Sequence, residues 1–110
     1  MKKILIVDDE PNIVMTLEYT FKKSNYEVFI ARDGQEALDI LKTNFPDVII
    51  LDIMMPMVDG FATLEQIRKD DNLQHTKVMF LSAKNKESDI EKGLALGADA
   101  YMTKPFSIKK

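Results

Sequence analysis

Val48-Ile49-Ile50-Leu51-Asp52 is a run of four apolar residues, three of them β-branched, that ends in a carboxylate. An unbroken apolar run of this length suits a strand covered on both faces, as in a parallel sheet flanked by helices. The pattern recurs on either side of it. Ile4-Leu5-Ile6-Val7 runs into Asp8-Asp9, and Tyr101-Met102-Thr103 runs into Lys104-Pro105. Together with two further apolar runs, five strands are predicted, at 3–7, 27–31, 48–51, 78–81 and 100–103. Parallel strands point the same way, so their C-terminal ends meet along one edge, and open α/β sheets bind ligands outside that edge.

Helical patterns separate the runs. Ile13, Val14, Leu17 and Phe21 share one face, with Lys22 and Lys23 in a last turn where cations favour the dipole. Asp33 to Glu36 has capping-box spacing ahead of Ala37, Leu38 and Leu41. Asp59-Gly60 opens a helix carrying Phe61, Leu64 and Ile67. Ser88 to Glu91 repeats the capping-box spacing, with Gly97 as the stop of a helix over about 88–96. This alternation predicts a doubly wound α/β domain with right-handed crossovers. The fifth strand should be followed by a covering helix, but Phe106 to Lys110 make only about one helical turn. The expectation is a C-terminal helix that is largely missing, in an excised or truncated chain. Apolar sheet surface beside strand five would then be bare, and a second copy could pair there.

The chain has 110 residues, enough for a single domain with one core. A hydrophobic share of 45% with 30% charged residues reads as globular rather than disordered. The net charge of −3 gives no general attraction to nucleic acid or to anionic membrane. Cysteine is absent, which excludes disulfides, thiolate metal sites and thiol catalysis. The apolar run after Met1-Lys2-Lys3 is too short for a signal peptide, and Asp8-Asp9-Glu10 interrupts it. No run reaches the roughly 20 apolar residues of a membrane span, so a cytoplasmic location is the default expectation.

Asp8 and Asp9 alone would read as a turn or cap before a helix that starts at Pro11, and Asp52 alone as an ordinary strand end. Their convergence changes that weighting. Three carboxylates within ~5 Å would repel by roughly 3 kcal/mol per pair at an effective dielectric of ~20. One lysine cannot neutralise them, so without a cation at least one carboxyl pKa should rise. A hard divalent cation with oxygen ligands, Mg²⁺ above all, would relieve the repulsion. Lys104 then suits a phosphate oxygen, Ser82 offers a hydroxyl from the same edge, and an aspartate can act as nucleophile to give an acyl phosphate. The chemistry inferred from the residues is phosphoryl acceptance by Asp52 beside a divalent cation.

Asp8-Asp9, the run Leu51 to Pro56 with Asp59-Gly60, Ser82-Ala83 and Lys104-Pro105-Phe106 resemble, as an ordered set, the receiver domain of two-component response regulators. The resemblance covers nearly the whole chain. It implies a flavodoxin-like sheet of five parallel strands in the order 2-1-3-4-5. It implies Asp52 as phosphoacceptor, and Asp8 and Asp9 as acids holding Mg²⁺ (or Mn²⁺), Asp9 directly and Asp8 through water. It also implies the Met54 backbone carbonyl as a further metal ligand and Lys104 on the phosphoryl group. Ser82 and Tyr101 would be the switch pair, and a cis peptide would join Lys104 to Pro105. The implied partners are a histidine kinase or histidine phosphotransfer protein and a downstream effector, with no direct nucleic-acid binding and no membrane. Val58 stands where methionine often precedes Asp-Gly in the family.

A turnover enzyme is not expected. An aspartate-nucleophile phosphatase would want a second acid two residues after Asp52, where Met54 stands. A flavodoxin-like cofactor binder would want glycines and hydroxyls after strand one, where Asp8-Asp9-Glu10 would repel phosphate. A receiver-like domain without productive output is the remaining alternative. His75 lies in a polar stretch and reads as an unremarkable loop residue, and Tyr19 and Tyr26 read as packing residues. Met54, Met55 and Met57 read mainly as gap-filling core.

Overall fold

Ile4 and Ile6 face one side of the sheet and Leu5 and Val7 the other, the two-residue period of a strand buried on both faces. The computed structural model describes residues 2–54, 59–83 and 86–104. Its strands are β1 (Lys3–Val7), β2 (Glu27–Ala31), β3 (Val48–Leu51), β4 (Lys77–Ser82) and β5 (Ala100–Thr103). They form one parallel sheet in the order β2-β1-β3-β4-β5, as the resemblance implies. The helices are α1 (Pro11–Lys23), α2 (Gly34–Leu41), α3 (Gly60–Lys69) and α4 (Glu87–Ala95), with a 3-10 turn at Asp71–Leu73.

The sheet separates two apolar layers. Leu5, Val7, Ile49, Leu51, Val78 and Phe80 meet Ala37 and Leu41 of α2 and Phe61, Leu64 and Ile67 of α3 on one face. Ile4, Ile6, Ile50 and Leu81 meet Leu17 on the other, with Ile13, Val14 and Phe21 of α1 packed beside them. Tyr101 joins the α2–α3 layer, its ring centroid 5.8 Å from that of Phe80. Gly93 lets α4 settle on that pair, since a Cβ there would stand 2.9 Å from Phe80 and 3.1 Å from Tyr101.

Local chemistry sets the helix ends. Asp33 accepts the Glu36 N–H at 2.8 Å, and Asp59 accepts the Ala62 N–H at 2.9 Å. The expected cap at Ser88 is not used. The helix begins at Glu87 with Lys86 as the flanking residue, and the Ile90 N–H already bonds the Lys86 carbonyl. Glu87 and Asp89 then place negative charge in the first turn, which favours the earlier start. Gly97 ends the helix at φ +110°, with its N–H on the Leu94 carbonyl and the Ala98 N–H on the Gly93 carbonyl, a Schellman closure.

Tyr26 packs edge-on against Phe21, with ring centroids 5.3 Å apart, but Tyr19 lies outside the core, with Lys23 Nζ 5.6 Å from its ring centroid. It is largely exposed, because its helical position faces away from the sheet. The Met54 side chain is also exposed, contrary to a core role, while Met55 and Met57 lie outside the described residues. So do Pro105, with its expected cis bond, and the remainder of the expected last helix. In β5 itself, Met102 is the large apolar residue left exposed.

Arg68 braces the edge of the sheet opposite the strand ends that carry the acids. Its guanidinium donates to the Gly97 carbonyl at 2.8 and 3.1 Å, to the Thr76 carbonyl at 2.9 Å and to Asp99 at 3.1 Å. Asp99 in turn accepts the Val78 N–H at 2.9 Å. Arg68→Ala is expected to cost about 2 kcal/mol by leaving these carbonyls without donors. Urea unfolding measures the loss, and Arg68→Lys restores little because an ammonium cannot span the same acceptors.

Candidate functional site

The sheet's hydrogen-bond ladder continues past the strand ends and holds the site residues. The Asp8 N–H bonds the Ala31 carbonyl at 3.1 Å, the Asp52 N–H bonds the Val7 carbonyl at 2.9 Å, and the Lys104 N–H bonds the Ser82 carbonyl at 2.8 Å. Leu51 is in register with Phe80, so Asp52 and Ser82 extend just beyond that pair on adjacent strands. The predicted convergence at one edge therefore follows from register.

Asp8 and Asp52 are 2% and 3% exposed. Lys104 Nζ lies 2.6 Å from Glu10 Oε1, 3.0 Å from Asp8 Oδ2 and 3.6 Å from Asp52 Oδ2. The Glu10 contact is a hydrogen bond. Asp8 Oδ2 is in ion-pair range of Lys104 but outside hydrogen-bonding geometry, so it is buried without a hydrogen-bond partner. Its other oxygen accepts the Glu10 N–H at 2.9 Å. The chain turns back after β3, so that the Met54 N–H donates to Asp52 Oδ1 at 3.3 Å. Gly60 makes this turn possible, because a Cβ there would stand 2.6 Å from the Ile53 Cα and against the Asp52 carbonyl.

Burial pushes the Asp52 carboxyl up to about 6, and the Asp8 charge adds to the rise against the opposing pull of Lys104 and the Met54 N–H. Burial also raises Asp8, although the Glu10 N–H and Lys104 act against it. A raised carboxyl was expected, but repulsion is the secondary cause and loss of water the primary one. Burial alone would lower the Lys104 ammonium; its hydrogen bond to Glu10, with the nearby Asp8 and Asp52 carboxylates, outweighs that and raises it.

Asp8, Glu10 and Asp52 each offer an oxygen, all within 4.8 Å of one another. Asp9 is exposed and outside this group, though its charge still reaches Asp52. An acidic cluster with one buried oxygen lacking a donor fits a hard cation. Glu10 is the residue that sequence reasoning missed. Its signal was a third consecutive acid after β1, but its partner is 94 residues away. Ser82 is fully buried and Tyr101 partly so, and their hydroxyls hydrogen-bond each other. Burial and then the Asp89 charge raise the Tyr101 hydroxyl. His75 is exposed.

A doubly wound parallel sheet with a buried aspartate, a lysine and an acidic cluster at its C-terminal edge defines a class of small α/β domains with a charged site outside the strand ends. The sequence model of the response regulator receiver domain matches residues 4–110, and the chain belongs to that family. It is 48% identical over 106 residues to the alkaline phosphatase synthesis transcriptional regulatory protein PhoP of Bacillus subtilis (strain 168). That match covers 96% of this chain and 43% of PhoP, so the chain spans less than half the length of that relative. Among solved structures, it superposes on the Vibrio cholerae chemotaxis protein CheY4 with a TM-score of 0.91 at 34% identity, covering 97% of this chain and 89% of that one. The Mn(2+)-bound form of response regulator Rcp1 gives a TM-score of 0.88 at 27% identity, covering 98% of this chain and 84% of that one.

Proposed function

We propose that the chain is a phosphorylation-controlled signalling module in which Asp52 takes a phosphoryl group from a phosphohistidine on a histidine kinase or histidine phosphotransfer protein. A carboxylate oxygen of Asp52 attacks phosphorus, the P–N bond breaks, and the imidazole leaves with the electron pair and takes up a proton. Water later attacks phosphorus and returns the carboxylate and inorganic phosphate. The phosphoryl group thus enters and leaves at one residue, and no external substrate is turned over. The observation that carries this reading is the meeting of buried Asp52 with the Lys104 ammonium beside an Asp8 oxygen that has no hydrogen-bond partner.

Asp8, Asp9, Asp52 and the Met54 carbonyl would hold Mg²⁺ (or Mn²⁺). When bound, the cation neutralises the carboxylates and the oxygens of the incoming group. Support comes from the Asp8 and Asp52 oxygens, which lie together with one of Glu10 within 4.8 Å, and from the Mn(2+)-bound Rcp1 relative; Asp9 and the Met54 carbonyl are assigned by the family pattern. Lys104 supplies the remaining positive charge to a phosphoryl oxygen.

Intact-mass analysis after incubation with Mg²⁺ and acetyl phosphate tests the reading. One added phosphoryl group, absent when the metal is chelated, is the expected result. No addition from any small donor would overturn it.

The switch would run through Ser82 and Tyr101. Phosphoryl oxygens compete for the Ser82 hydroxyl, which then lets go of Tyr101 and frees the ring to move against Gly93 and α4. Ser82→Ala should slow uptake by roughly tenfold or less, the worth of one hydrogen bond. It should also mute the phosphorylation-induced NMR shifts in α4 and β5, and shifts as large as those of wild type would rule this route out.

No helix among the described residues is long and apolar enough to cross a membrane; a cytoplasmic location is proposed from the family alone. A transcriptional output is suggested by the name of the PhoP relative, and would lie with an effector rather than with this domain.

A further inference from the structure

Glu10 occupies the position that flanks the start of α1, where Ser, Thr, Asp or Asn would normally accept a helix N–H. It makes no such bond. Its backbone is pinned by the N–H bond to Asp8 Oδ1, and its carboxylate turns across to Lys104 at 2.6 Å. That is 1.0 Å shorter than the lysine's 3.6 Å approach to Asp52. The Lys104 backbone is fixed to Ser82 by the ladder bond, so a change of acceptor falls to its side chain alone.

We propose that Glu10 is a counter-ion latch: it holds Lys104 at the rim while Asp52 is unmodified, and must release it before the lysine can clamp a phosphoryl oxygen. The proposal rests on the phosphoacceptor reading of Asp52. Three acids surround the ammonium, and they differ in what they can do. Asp8 and Asp52 are buried and cannot exchange the lysine for water. The Glu10 side chain is 57% exposed, so its carboxylate regains hydration as soon as it lets go. Glu10 therefore neutralises a lysine whose side chain is only 9% exposed, and yields it when a more highly charged acceptor arrives. An incoming anionic donor would also meet less repulsion without it. Glu10 is thus a positioning residue acting through Lys104.

The test compares wild type with Glu10→Gln, which keeps the shape and removes the charge. Both are incubated with Mg²⁺ and acetyl phosphate and followed by intact mass, then by loss of the phosphoryl group after the donor is removed. The variant is expected to take up phosphate faster and hold it longer, raising the ratio of phosphorylated to free protein about fivefold, the upper end for a partly exposed ion pair. A second readout is the Lys104 Nζ resonance of the metal-free, unmodified protein. It should move in Glu10→Gln toward its position in phosphorylated wild type. A lowered melting temperature with unchanged uptake, half-life and resonance would mean an ordinary structural ion pair and would overturn the latch. Slower uptake in the variant would overturn it too. Absence of uptake in wild type would instead bring down the phosphoacceptor reading, and the latch with it.

Discussion

Asp52→Asn is expected to take up no phosphoryl group from acetyl phosphate and Mg²⁺, and in metal-free buffer near pH 8 to melt higher than wild type. The first result follows from losing the nucleophilic carboxylate. Asparagine can still accept the Met54 N–H at the same oxygen position, so the loss is chemical rather than architectural. The second follows from linkage. The Asp52 carboxyl is raised from 3.8 to about 6, so between those values the folded state binds the proton that the unfolded state has given up. The contribution of Asp52 to stability is therefore fully present below the unfolded value and is lost as pH rises through about 6. From the size of the shift, the charged form costs roughly 2 to 3 kcal/mol, of which Lys104, losing the farthest of its three carboxylates in the variant, would take back some. Thermal melts from about pH 4 to pH 8 should show the variant's advantage opening over that window and then levelling. Added Mg²⁺ should narrow the gap, because a ligand that prefers the folded wild type stabilises it by mass action. A gap that is constant with pH would contradict a raised Asp52.

Gly60→Ala is expected to be the most damaging single methyl in the domain. A Cβ at this position would stand 2.6 Å from the Ile53 Cα and press on the Asp52 carbonyl, and both obstacles are main chain. Neither can rotate away. Overpacking of well-filled interiors costs about 1 to 3 kcal/mol when side chains can adjust, so a clash with backbone should cost ~3 kcal/mol or more. At the usual scaling for a domain of this size, the melting temperature would fall by about 10 °C or more. The turn can relax only by moving Asp52 away from Lys104 and Met54, so phosphoryl uptake should fall with stability. A variant that melts like wild type would show that α3 can shift on the sheet at little cost.

The strands were legible because each is a short apolar run that stops at a polar residue, and the edge at which they stop is the site. Asp8, Asp52, Ser82 and Lys104 could be placed together from order alone, since a parallel ladder leaves them little freedom. The Glu10–Lys104 bond was not legible. A third acid after Asp8-Asp9 looks like more of the same charge until the fold brings a lysine to it from the other end of the chain. The Arg68 brace was hidden for a like reason, because most of its acceptors are backbone carbonyls that have no residue code, and its carboxylate partner Asp99 is 31 residues away. Ser88 misled because serine three residues before glutamate also occurs inside a first turn, where neighbouring carboxylates suffice. Tyr19 misled because an aromatic on an amphipathic helix need not be on its buried stripe.

The amides of Asp8, Asp52 and Lys104 are sheet amides in all but name, each bonded to the carbonyl of an adjacent strand. The buried carboxylates and their lysine therefore inherit the rigidity of the core rather than the pliancy of loops. Apart from the turn that Gly60 closes against Asp52, the segments between the strands could vary in length while the backbone spacing of these groups stayed the same. A chemistry hung from the ends of a ladder can be kept constant while the surfaces around it diversify to meet new partners.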